Sequence, residues 1–115
     1  MWRQVQWQKR TKFNATRAEY GGRVYHSMKE ANYAAELDLL KRAKEIRDWE
    51  PQVRFDLVVN GLKICTIIPD FRVILADGTE EIHEVKSYGT MTEIWRLKRK
   101  LFEALYPDVI YKVII

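Results

Sequence analysis

A chain of 115 residues, 47% apolar and 31% charged, has the composition of one folded domain that keeps a core without disulfide staples. Its single cysteine, Cys65, excludes an internal disulfide and a cysteine-cluster metal centre, and no apolar run approaches the roughly 20 residues of a membrane-spanning helix. The formal net charge of +4 is gathered at one end: Arg3, Lys9, Arg10, Lys12, Arg17 and Arg23 stand against Glu19 alone, and the rest of the chain is close to neutral.

Residues 1–18 therefore read as a basic arm and 19–115 as a single domain. An arm of this charge suits a polyanion such as DNA, or is simply a solvated tail. Trp2, Trp7 and Phe13 lie among its basic residues, where they could stack on bases, anchor the terminus to the core or meet a second subunit. With one cysteine and no apolar segment behind Trp2 and Arg3, the cytoplasm is the expected compartment.

In chain order, Tyr20-Gly21-Gly22 is a turn and Ser27-Met28-Lys29-Glu30 fits a helix capping box. The helix is expected to run to about Arg47, with Tyr33, Ala34, Leu37 and Leu40 sharing a face with Glu30. Trp49-Glu50-Pro51 ends it, and Gln52 to Val59 reads as a strand. Asn60-Gly61 is a strong hairpin signal, followed by a strand from Leu62 to Ile68.

The next stretch carries the chemistry. Pro69-Asp70 opens one apolar run, Ala76-Asp77-Gly78 is a turn, and Glu84-Val85-Lys86 closes the second run. Glu84 and Lys86, two apart on a strand, project to one face. A two-residue Asp77-Gly78 turn would pair Asp70 with Val85, on the face opposite Glu84. A three-residue loop with Gly78 in the left-handed region pairs Asp70 with Glu84, and this is the expected register. Two carboxylates that close on a sheet repel each other and favour a cation between them.

Ser87 to Thr92 is a loop in which Thr92 or Thr90 caps a second helix, Glu93 to Tyr106. Its expected apolar face is Ile94, Leu97, Leu101 and Leu105, and its basic face Arg96, Lys98, Arg99 and Lys100. Val109 to Ile114 is a last strand that lies parallel to the Glu84 strand. The class is α/β, a small mixed sheet flanked by helices. Hard oxygen ligands from Asp70, Glu84 and the helix residue Glu30 suit Mg²⁺ or Mn²⁺ acting on a phosphodiester, with Lys86 as a fixed positive charge. His26 and His83 read as surface or structural residues. There is no phosphate-binding Gly-rich loop, no serine elbow and no Cys–His pair, and no organic cofactor is expected.

Pro69-Asp70, a gap, then Glu84-Val85-Lys86, preceded by a helix glutamate and followed by a basic helix, resembles the PD-(D/E)XK nuclease superfamily. Glu19-Tyr20-Gly21-Gly22, Ser27 to Ala31, Leu37 to Leu40 and Gln52 are similar to a phage-encoded branch of it. More distantly the chain resembles archaeal Holliday-junction resolvases and a transposon endonuclease subunit. The resemblance covers about residues 19–115 and implies a restriction-endonuclease-like αβββαβ core. It implies Asp70 and Glu84 as metal ligands with the Val85 carbonyl assisting, and Lys86 as catalytic lysine. Glu30 would hold a second metal or its water, and Gln52 would orient a group of the site. The expected activity is Mg²⁺-dependent DNA cleavage, structure-selective, by a homodimer whose candidate interface includes Trp2, Trp7 and Val113-Ile114-Ile115. Phosphate contacts would come from Arg10, Lys12 and Arg17 in the arm and from Arg96, Lys98, Arg99 and Lys100 in the helix. A nucleic-acid-binding module that does not cut, a sequence-nonspecific phage nuclease, and a structural subunit of a larger machine are the alternatives.

Overall fold

The computed structural model describes residues 6–7 and 17–115. Arg10, Lys12, Trp2 and Phe13 lie outside the described residues. The chain divides into two compact units, 1–45 and 46–115.

In the first unit, β1 (Gln6–Trp7), β2 (Ala18–Tyr20) and β3 (Arg23–Tyr25) form an antiparallel sheet. α1 (Met28–Arg42) starts where the capping box places it: the Ser27 hydroxyl accepts the Glu30 N–H at 3.1 Å. Ala31, Ala34 and Leu37, at helical spacing, are its buried positions. The helix stops at Arg42 instead of about Arg47. Lys44, at φ 60°, takes the left-handed position beyond the Ala43 cap. The Glu45 N–H reaches back to Leu40 O (2.9 Å) and the Lys44 N–H to Lys41 O (3.1 Å), a Schellman closure. Glycine usually occupies that position; a lysine inside a run of good helix formers hides the stop.

The second unit is built on a four-stranded mixed sheet. β4 (Ile46–Pro51), β7 (Phe71–Leu75), β8 (Glu80–Val85) and β9 (Ile110–Ile114) lie in that order. β4, β7 and β8 are antiparallel neighbours, and β9 joins β8 in parallel after the crossover helix α2 (Glu93–Leu105). β4 replaces what the sequence suggests is the end of a helix. Pro51 is tolerated there because β4 is an edge strand. Gln52, at φ 51°, breaks the chain out of β4 and is not part of a strand. β5 (Phe55–Val59) and β6 (Leu62–Ile67) form a separate hairpin, closed by Asn60 (φ 51°) and Gly61 (φ 79°), both in the left-handed region that a tight two-residue turn requires. In chain order the helices and main-sheet strands read α1-β4-β7-β8-α2-β9, an α/β arrangement with the β5–β6 hairpin inserted after β4.

The core of this unit is the cluster Leu57, Ile67, Ile82, Phe102 and Tyr111. Phe102 meets Phe55 edge-on at 5.1 Å and Tyr111 at 5.6 Å. Truncating Phe102 to alanine would remove about 3–5 kcal/mol. The expected face of α2 is kept in its second half, at Leu101 and Leu105, and lost in its first. Ile94 and Leu97 are each 69% exposed, while Trp95, Leu101 and Leu105 pack against the core. Among the described residues no helix is long and apolar enough to cross a membrane.

Candidate functional site

The β7–β8 hairpin closes through the three-residue loop. Gly78 sits at φ 90°, its N–H bonded to Leu75 O (3.0 Å), and the Leu75 N–H bonds Thr79 O (2.8 Å). Asp77 Oδ1 locks the turn by accepting from the Thr79 N–H (2.9 Å) and hydroxyl (2.6 Å). The ladder pairs Phe71 with His83 and Arg72 with Ile82; one residue further, this register sets Asp70 opposite Glu84. The turn thus brings the two carboxylates to one place.

There they are bound into the main chain and to each other's strand. The Val85 N–H donates to Asp70 Oδ2 at 2.7 Å, and the Asp70 N–H donates to Glu84 Oε2 at 3.2 Å. The same Glu84 oxygen accepts the Tyr111 hydroxyl at 3.1 Å. Glu84 is buried, and burial together with the Asp70 charge pushes its carboxyl up to about 7, against the pull of Lys86. Burial, then the Glu84 charge, also raises the Tyr111 hydroxyl, which keeps it a proton donor to Glu84.

Lys86 Nζ lies 3.6 Å from Glu84 Oε1 and 4.8 Å above the Trp95 ring, and donates to Thr90 O at 3.4 Å. The loop before α2 is tied by Ser87 and Thr90, and Thr92 caps the helix by accepting the Trp95 N–H at 3.1 Å. The capped helix holds the indole under the lysine. Gln52 enters through its backbone, whose N–H donates to Asp70 O at 2.8 Å. Glu30 belongs to the other unit, at the third position of α1.

Of the basic residues expected on α2, Arg96 and Lys100 are exposed and Lys98 is half-buried. Arg99 is engaged within the fold: it bonds Tyr111 O (3.4 Å), pairs with Glu103 (3.4 Å) and lies over the Tyr111 and Trp95 rings. Arg17 is exposed. Sequence reasoning missed Tyr111 and Trp95. Tyr111 is the polar-tipped aromatic of a β-branched strand, but only the parallel pairing of Ile82 with Tyr111 and Glu84 with Val113 puts it beside Glu84.

Asp70 and Glu84 offer hard oxygen donors side by side. Among the described residues no group of three or more His, Cys, Asp or Glu side chains could hold a metal ion. Two carboxylates fit Mg²⁺ or Mn²⁺, ions that fill the remaining positions with main-chain oxygen, water and phosphate. No curated protein and no solved structure matches the chain. Residues 10–115 match the family described as "Protein of unknown function (DUF1064)", and the chain belongs to that family.

Proposed function

We propose that the protein is a divalent-metal-dependent endonuclease that hydrolyses DNA phosphodiester bonds, with a preference for branched or otherwise structured DNA. The observation that carries this reading is the closure of Asp70 on Glu84 with Lys86 at 3.6 Å, the P-D…E-V-K residues of the sequence gathered at one point. A carboxylate raised by burial and then by a like charge is costly to ionise unless a cation joins it. Asp70 and Glu84, with the Val85 carbonyl, would hold Mg²⁺ or Mn²⁺. Bound there, the ion supplies charge neutralisation at the phosphate and a more acidic water.

The chain's own residues have separate tasks. Lys86, steadied by Trp95 and Thr90, presents positive charge toward the phosphate being displaced. Tyr111 holds the Glu84 carboxylate in one orientation. Gln52 braces the strand end that carries Asp70. Sequence-independent phosphate contacts would come from Arg96, Lys98 and Lys100 on α2, and separately from Arg10, Lys12 and Arg17 of the first unit. A dimer would bring two sites to two strands, and the host cytoplasm is the compartment this reading implies for a phage-encoded enzyme.

The test is cleavage of labelled four-way junction, plain duplex and single-stranded DNA with Mg²⁺ or Mn²⁺. The expected result is cutting that a chelator and Asp70→Ala both abolish, fastest on the junction. Salt-sensitive binding without cutting, unchanged in Asp70→Ala, would replace the nuclease by a binding module.

A further inference from the structure

Glu84 and Lys86 also form part of the wall of a cleft of about 390 Å³. Thr66, Ile67 and Ile68 line one side, where β6 leads into Pro69-Asp70. Thr92, Ile94, Trp95 and Lys98 line the other, on the first turns of α2. The volume is near the lower end of the roughly 300–1,000 Å³ of pockets that enclose one small molecule. The volume is enough for a single nucleotide.

The lining is of two kinds. Ile68 and Ile94 stand 53% and 69% exposed, apolar surface that the fold leaves uncovered beside two charged groups. Lys98 forms no ion pair among the described residues, and it reaches the cleft from the helix that also holds Trp95 under Lys86. A flat apolar wall accepts any base, because every base has an apolar face. A lysine beside it complements the backbone phosphate.

Resting on the nuclease reading, we infer that this cleft is a subsite for one unpaired nucleotide of the cleaved strand, next to the scissile phosphate. Its base lies on Ile68 and Ile94, and its phosphate meets Lys98. A nucleotide inside a matched duplex must leave the stack to enter, whereas one at a junction, bulge or single-stranded end is already free. Selection for structured DNA then comes from the shape of the cleft, without any reading of base edges.

Two measurements test the subsite. In the first, protein labelled at isoleucine methyls is titrated with thymidine 5′-monophosphate in Mg²⁺. Saturable shifts are expected at Ile68 and Ile94 but not at Ile110 and Ile115, which are similarly exposed and do not line the cleft. Lys98→Ala should weaken binding several-fold, and Ile68→Trp, a change at an exposed position, should fill the cleft and abolish it. In the second, a matched duplex is compared with the same duplex carrying a one-nucleotide bulge. The wild type should cut beside the bulge at least roughly tenfold faster, and Ile68→Trp, with an unchanged Tm, should lose that preference. Equal cutting of both duplexes with no shift at Ile68 or Ile94 overturns the subsite and leaves the nuclease. Shifts at these methyls with no cutting of any DNA overturn the nuclease and leave a nucleotide-binding cleft.

Discussion

Strand β8 buries a carboxylate on each of its faces, and the two are treated in opposite ways. On one face Glu81 is 5% exposed, with His83 Nε2 at 2.9 Å and Lys112 Nζ at 3.3 Å, both at the same oxygen. Burial would raise Glu81, but His83 and Lys112 outweigh it, and the net shift is downward. On the other face Glu84 is also 5% exposed, yet its nearest charged neighbour across the hairpin is another carboxylate, and its value climbs to about 7. Glu81 is a completed ion pair. Glu84 has Lys86 at 3.6 Å, but burial and the Asp70 charge outweigh that one cation. Perturbed groups cluster at functional sites, so this contrast within one strand is what the proposed role of Glu84 predicts and what the variants below can break.

The largest expected effect is on activity. Asp70→Ala should reduce metal-dependent cleavage by at least roughly 10²–10³-fold, whereas Glu81→Gln should leave the rate per folded molecule unchanged. Comparable losses in both, measured on protein matched for folded fraction, would erase the distinction between the faces.

Stability should divide the same pair with opposite signs. The folded-state value of Glu84 lies above its unfolded value of 4.5. Its contribution is therefore full below pH 4.5 and is lost as the pH rises through about 7. In metal-free protein, Glu84→Gln should match the wild type near pH 4.5 and exceed it at pH 8 by up to about 3 kcal/mol. The folded-state value of Glu81 lies below its unfolded one, so its contribution is present above the ordinary carboxylate range and lost as the pH falls through the lowered value. Glu81→Gln should cost about 1–3 kcal/mol at pH 7, with the loss shrinking in acid. Denaturant unfolding across this pH range checks both, and a destabilised Glu84→Gln at pH 8 would break the contrast.

What made the Asp70–Glu84 face legible in the sequence is that its register is set locally. Ala76-Asp77-Gly78 contains the glycine that a left-handed closing residue needs; of the two registers that this turn allows, the three-residue loop forms, and Asp70 falls opposite Glu84. Ser27 and Asn60-Gly61 were readable for the same reason, each being a short signal that acts on its own neighbours. The features that escaped depend on partners far away in the chain. β4 is a strand because β7 pairs with it, although Lys41 to Arg47 would suit a helix. Ile94 and Leu97 face outward because Phe55 engages Phe102. The place of Tyr111 beside Glu84 follows from the parallel register of β9, which no turn specifies.

Tyr111→Phe sharpens the functional side at smaller scale. It keeps the ring that packs on Phe102 and removes only the hydroxyl that favours the Glu84 anion. Mn²⁺ affinity, followed by calorimetry without DNA, should fall roughly tenfold, with little change in Tm. An unaltered affinity would show that the hydroxyl serves packing alone.

The smallest effect tests the structural side. Burial lowers His83, Glu81 opposes this, and the Lys112 charge lowers it further. A carboxylate only accepts, so the 2.9 Å contact requires a proton on His83 Nε2 in the neutral ring as well as in the charged one. Lys112→Met removes a half-exposed cation, so the stability loss should stay below about 1 kcal/mol. The same change removes a repulsion from His83 and an attraction from Glu81, so both groups should titrate at higher pH than in the wild type. The His83 ring proton, followed by NMR, reports the shift directly. A value that stays put or falls would mean that Lys112 does not act on this pair, and that His83 alone holds Glu81.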